Sequence, residues 1–188
     1  MTPEKVAYYR AMLMVGLGDG FYAAFDKALE EENPLSDLTL SLCTCISNES
    51  EVLRILTEYT LDCTLDEEAV RDLIVEDIKI RYEMGNMTRA DVVRTLEAIV
   101  RALDRYWQEP WFWCTEMSYA LEVYQEGWAS EEAFNACFDA WWNDHQRLDI
   151  WELEKQKEFQ GSRKRQDQPL KYRWFIKIWN KVYRFFRR

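Results

Sequence analysis

Tyr82-Glu-Met-Gly85-Asn-Met-Thr88-Arg-Ala-Asp91-Val92 returns forty-two positions later as Tyr124-Gln-Glu-Gly127-Trp-Ala-Ser130-Glu-Glu-Ala133-Phe134. Each copy reads as a helix that runs into an aromatic residue and stops at a glycine. Glycine alone enters the left-handed conformation beyond a helix end without steric cost. Three residues on, Thr88 or Ser130 is placed to cap the next helix by accepting a backbone N–H. Met87 and Val92, or Ala129 and Phe134, flank that cap at the spacing of a hydrophobic staple. Two helical hairpins are therefore expected, turning at Gly85 and Gly127.

Working outward, residues 65–84 should pair with 89–108, where Val92, Leu96, Ile99, Leu103 and Tyr106 keep near-heptad spacing. That spacing favours antiparallel neighbours at shallow angles. Thr64 and Glu67 form a capping box ahead of Val70, Ile74 and Ile78, and Asn48 and Glu51 form another ahead of Val52 and Leu56. Thr2-Pro3 is a helix start, Gly16-x-Gly18-x-Gly20 a helix break, and Asn33-Pro34 a helix end. Leu38, Leu40 and Leu42 alternate as in a strand, while Leu35, Leu38, Leu42 and Cys45 fit a helix equally well; the helical context favours helix over 36–46. Pro110 marks a fresh start, and Trp113, Met117, Ala120 and Tyr124 share one face. A long helix then runs from Glu131 through Phe134, Phe138, Trp141, His145 and Leu148 to about Gly161.

The 188 residues are enough for one domain that buries about 70% of its unfolded surface. With 48% hydrophobic and 15% aromatic residues, the body is not a disordered chain. The net charge of −10 is unevenly distributed. Residues 1–154 carry 12 basic and 32 acidic side chains, a balance of −20, and 155–188 carry 12 basic and 2 acidic, a balance of +10. Such asymmetry points to an electrostatic partner, internal or external. No signal-peptide pattern opens the sequence and no run of about 18 apolar residues spans a bilayer, so a cytoplasmic protein is expected.

Enzyme chemistry is sparsely supplied. The single histidine, His145, has Asp144 and Asp149 nearby, the ingredients of an oriented general base. Its position on an apolar helical stripe, three residues before Leu148, favours a structural histidine, and a hydrolase is the last-ranked reading. Cys43-Thr-Cys45 with Cys63 lacks both the usual zinc spacing and a fourth ligand. The triple glycine lacks the strand and lysine of a phosphate loop. No catalytic residue, metal or cofactor is assigned.

Two surfaces carry more information. Asp66, Glu67, Glu68, Asp72, Glu76 and Asp77 crowd one helix, with Glu68, Asp72 and Glu76 in i, i+4 register. Like charges at that spacing mildly destabilise a helix, so a basic protein partner such as a toxin or nuclease is expected to meet them. The alternative is a solubilising acidic surface. After a polar hinge at 161–169, residues 170–188 read as an amphipathic helix. Arg173, Lys177, Lys181 and Arg184 form its basic side, and Trp174, Trp179, Tyr183 and Phe186 lie on its aromatic side. This helix either docks on the acidic body or lies on an anionic membrane surface at the inner face. Nucleic acid is disfavoured because the body would repel phosphate.

The run Gly127-Trp-Ala-Ser130-Glu131-Glu132-Ala133-Phe134 resembles the helix, Gly-x-x-Ser-Glu-Glu-Ala, helix hairpin of several helical bacterial domains. The small, acidic, helical, Trp-rich style is similar to bacterial immunity proteins that neutralise toxins. The resemblance implies a non-enzymatic inhibitor and carries over no catalytic residue. Together these readings give an all-α protein. A helical bundle or short αα-hairpin array of about eight helices occupies 1–160, followed by the hinge and the C-terminal amphipathic helix.

Overall fold

The computed structural model describes residues 1–106 and 108–161, the last five of these as backbone only. The expected hinge beyond Gly161 and the amphipathic helix 170–188 lie outside the described residues. Those described are all-helical, with no strand among them. One compact unit, Met1–Ile150, holds α1 (Pro3–Met14), α2 (Asp19–Glu31), α3 (Asp37–Cys43), α4 (Glu49–Leu61), α5 (Glu67–Glu83), α6 (Arg89–Ala102), α7 (Phe112–Thr115), α8 (Ser118–Gln125) and α9 (Glu131–Asp144). A second unit begins at Trp151 and takes nearly all of α10 (Ile150–Gly161).

The hairpin turns have the geometry their repeated sequence dictates. Gly85 has φ 76° and donates its N–H to Tyr82 O, while Asn86 N–H reaches back to Arg81 O. Gly127 repeats this with Tyr124 and Val123, and Gly16 repeats it a third time with Leu13 and Met12. This pair of bonds satisfies carbonyls that a helix end otherwise leaves open. Asp104 adopts the same turn at φ 56°, with Asp104 N–H on Arg101 O and Arg105 N–H on Val100 O. Asp enters the left-handed region at some cost, so the heptad spacing through Leu103 and Tyr106 gave no warning that α6 stops at Ala102. Thr88 and Ser130 cap as expected, and Thr88 with Asp91 completes a reciprocal capping box.

Three further boundaries differ from the sequence reading. The cap of α5 is Asp66, whose side chain accepts from Ala69 N–H, in place of the Thr64 and Glu67 box. The helix expected after Pro110 is two pieces, α7 and α8, and it starts two residues later. The long helix from Glu131 ends at Asp144, because His145 turns left-handed at φ 52°. Within segment 36–46, Asp37–Cys43 is helical as α3, Ser36 is its cap and 44–46 form a turn.

Two cores result. Near the N-terminus, α1 lies against α4 and α5, and Val6, Leu13, Phe21, Phe25, Leu42, Val52 and Leu56 are buried together. Gly18 lies close against Leu13, and a Cβ there would run into the end of the Leu13 side chain. The second core is aromatic. Trp141 stacks on Trp113 at 4.7 Å, Tyr82 reaches Phe138 of the other hairpin at 5.6 Å, and Arg89 clasps Asp139 through two nitrogens.

The acidic run Glu30-Glu31-Glu32 closes α2, and its last residue, the C-cap, has an internal task. Glu32 accepts from Thr39 Oγ1 at 2.7 Å, Ser36 Oγ at 2.9 Å and Ser36 N–H at 3.1 Å. These bonds, the Thr39 hydroxyl foremost, lower its pKa from 4.5 to about 2. A lowered folded-state pKa means that the stabilisation is present above about pH 4.5 and is lost as the pH falls toward 2. Acid unfolding followed by circular dichroism should therefore show Glu32→Gln less pH-dependent than the parent in that window. Superimposable profiles would rule this anchor out.

Candidate binding face on helix α5

The six acidic residues on or beside α5 have three different roles. Asp66 is the helix cap. Glu67 is half-buried and accepts from Trp111 Nε1 at 2.8 Å and an Arg105 guanidinium nitrogen at 3.2 Å, tying α5 to the segment after α6. Asp77 accepts from Arg81 Nε at 2.7 Å and faces Tyr8. Burial first, then the Asp77 charge, pushes the Tyr8 hydroxyl up to about 12. Glu67 and Asp77 thus take part in internal ties.

The remaining three face solvent. Glu68, Asp72 and Glu76 are exposed and lie on one row at i, i+4 spacing. Arg71 binds Asp72 through Nε at 3.0 Å and its terminal nitrogen at 2.6 Å. Glu68 and Glu76 have no hydrogen bond or ion pair among the described residues. Each like-charge pair costs a helix about 0.2–0.5 kcal/mol.

α1 adds a carboxylate that the sequence reading missed. Glu4, Asp66, Asp72 and Glu76 line one open cleft whose apolar lining is Ala69 and Leu73. Among the described residues no basic side chain lines it. Glu4 comes from a separate helix 62 positions upstream of Asp66, so no local spacing could have announced it. Toward the end of α5, Ile80 and the C-cap Met84 are 46% and 70% exposed but are turned away from Glu68 by the rotation of the helix.

His145 is exposed at the end of α9, off the apolar stripe where the sequence placed it, with its ring edge-on to Trp113 at 5.2 Å. All five cysteines are free: Cys43 is exposed, Cys63 half-buried and Cys45 buried. Burial raises the thiols of Cys114 to about 12 and Cys137 to about 11, the protonated, unreactive state. Among the described residues no group of three or more His, Cys, Asp or Glu is arranged to hold a metal ion, and no helix is long and apolar enough to cross a membrane. Arg173, Trp174, Lys177, Trp179, Lys181, Tyr183, Arg184 and Phe186 lie outside the described residues. Compared with protein-family models, curated proteins and solved structures, the chain finds no match.

Proposed function

We propose that this chain is a non-enzymatic binding protein whose acidic α5 face covers a basic surface on another protein, in the manner of an immunity or inhibitor protein. The observation that supports this reading is the cleft of Glu4, Asp66, Asp72 and Glu76, which gathers four carboxylates from α1 and from α5 with its cap and, among the described residues, is lined by no basic side chain, although Arg71 beside it binds Asp72. A face of one sign steers an oppositely charged partner and speeds encounter. Glu68, on the same helix, adds an exposed carboxylate. The ions on this face are exposed, so their contribution is to rate and specificity more than to fold stability.

The test is charge reversal at Glu68→Lys, Asp72→Lys and Glu76→Lys, which touches no internal tie. A basic nuclease or toxin domain retained by the immobilised parent chain should bind the triple variant at least about tenfold more weakly. The parent's affinity should also fall as added salt shortens the Debye length from about 30 Å at 0.01 M to about 8 Å at 0.15 M. Equal retention by parent and variant, with no response to salt, would place the contact elsewhere.

A further inference from the structure

We propose that Asp19-Gly20, at the start of α2, is a site of spontaneous aspartate isomerisation, by which the folded chain ages at one defined peptide bond. It uses none of the carboxylates of the α5 cleft. The reaction begins when the Gly20 amide nitrogen attacks Asp19 Cγ. The amide proton and a carboxyl OH leave together as water, and a cyclic succinimide closes. Water then adds to the ring carbonyl that was the Asp19 backbone carbonyl and breaks its bond to nitrogen. The chain now runs through Asp19 Cβ and Cγ, and the old carbonyl carbon is a free carboxylate. Charge is conserved, and nothing is oxidised or reduced.

A side chain on the following residue hinders the attack, and glycine has none. Asp19-Gly20 is the one step in the sequence where Asp or Asn precedes Gly. The Asp19 side chain is 92% exposed, and its ion pair with Arg81 Nη1, at 3.8 Å, is long and screened by water. Gly20 is exposed too, and its N–H belongs to the first helical turn, whose donors have no carbonyl within the helix. In a closed helical turn the nitrogen and Cγ are held apart, so the attack requires this turn to open. α2 begins on Gly18, which supplies no side-chain cap, whereas α1 and α3 to α6 each begin on a side chain that accepts a backbone N–H. An uncapped first turn opens more readily than the body of a helix. The product loosens α2. One added backbone carbon changes the spacing two residues before Phe21, which is 1% exposed, and carries the carboxylate away from its place beside Arg81.

Gly20→Ala is the discriminating variant. A Cβ on Gly20 would have its nearest neighbours at 3.8 Å and 3.9 Å, on the Tyr9 and Tyr8 side chains, so alanine fits and the fold is kept. The full chain is incubated at neutral pH and physiological temperature. Isoaspartate is then read with an isoaspartyl methyltransferase and labelled S-adenosylmethionine, and electron-transfer fragmentation of the peptides locates it. Label should accumulate with time at residue 19 of the parent and be lost in Gly20→Ala. No label in the native parent overturns the proposal, and its arrival at residue 19 only after urea unfolding would mean that α2 stays shut. Label at another residue, or equal label in Gly20→Ala, overturns it as well. The aged parent should also unfold at a lower urea concentration than the fresh parent, while aged Gly20→Ala should not shift. Label at residue 19 without that shift overturns the claim that the product loosens α2.

Discussion

Trp141→Ala is expected to cost about 4 kcal/mol of folding stability, the range found when a large aromatic is removed from a closed core. Trp141 is 1% exposed, and its Nε1 donates to Trp113 O at 3.1 Å. Its ring stacks on Trp113 at 4.7 Å and meets Phe138 edge-on at 5.6 Å. Alanine removes the apolar area, leaves a carbonyl without its donor and opens a void that rings on several sides cannot refill. Domains of this size are stable by about 5–15 kcal/mol in total, so the variant would be at the edge of folding. Urea denaturation of Trp141→Ala beside Trp142→Ala checks this, because Trp142 is only half-buried and should cost less. Equal, small losses at both positions would mean that the stack is not a core.

Glu67→Ala should cost about 2–3 kcal/mol, while Glu68→Ala, its immediate neighbour, should stay within about 0.5 kcal/mol. The contrast follows from what each carboxylate touches. Glu67 satisfies the indole N–H of Trp111, a residue 1% exposed, and pairs with Arg105; Arg10, part-buried nearby, loses the favourable field of the same carboxylate. Removing one partner from such a group strands the others, which costs more than the bond itself contributes. A double-mutant cycle with Trp111→Phe makes the claim specific. Glu67→Ala should hurt less once the N–H it serves is gone, by roughly 1 kcal/mol of coupling. Strict additivity would dissociate Glu67 from Trp111. On the proposed function the order reverses in binding, because Glu68 is exposed and Glu67 faces inward.

The all-helical architecture was legible because its punctuation is local. Gly85, Gly127, Thr88 and Ser130 each act within a few residues of themselves, and sequence reading found both hairpins from them. Asp104 and His145 do the work of glycines without being glycine, and at both places the expected helix ran on too far. The acidic row was visible as spacing. Its division into Glu68 and Glu76 outside, and Glu67 and Asp77 inside, depends on Trp111, Arg105, Arg81 and Tyr8. Three of these lie on other segments of the chain, so the division could not be read from the helix alone. Glu4 was missed for the same reason. Only the packing of α1 beside α5 brings it to the cleft.

The left-handed turns at Gly16, Gly85, Asp104 and Gly127 also bear on how the protein is made. Each closes using atoms no more than six residues apart, so it can set as soon as its own stretch leaves the ribosome, before any distant neighbour exists. The growing polypeptide is then a succession of short pre-bent rods. Its aromatic contacts reaching fifty positions back, such as Tyr82 with Phe138, are left to lock last.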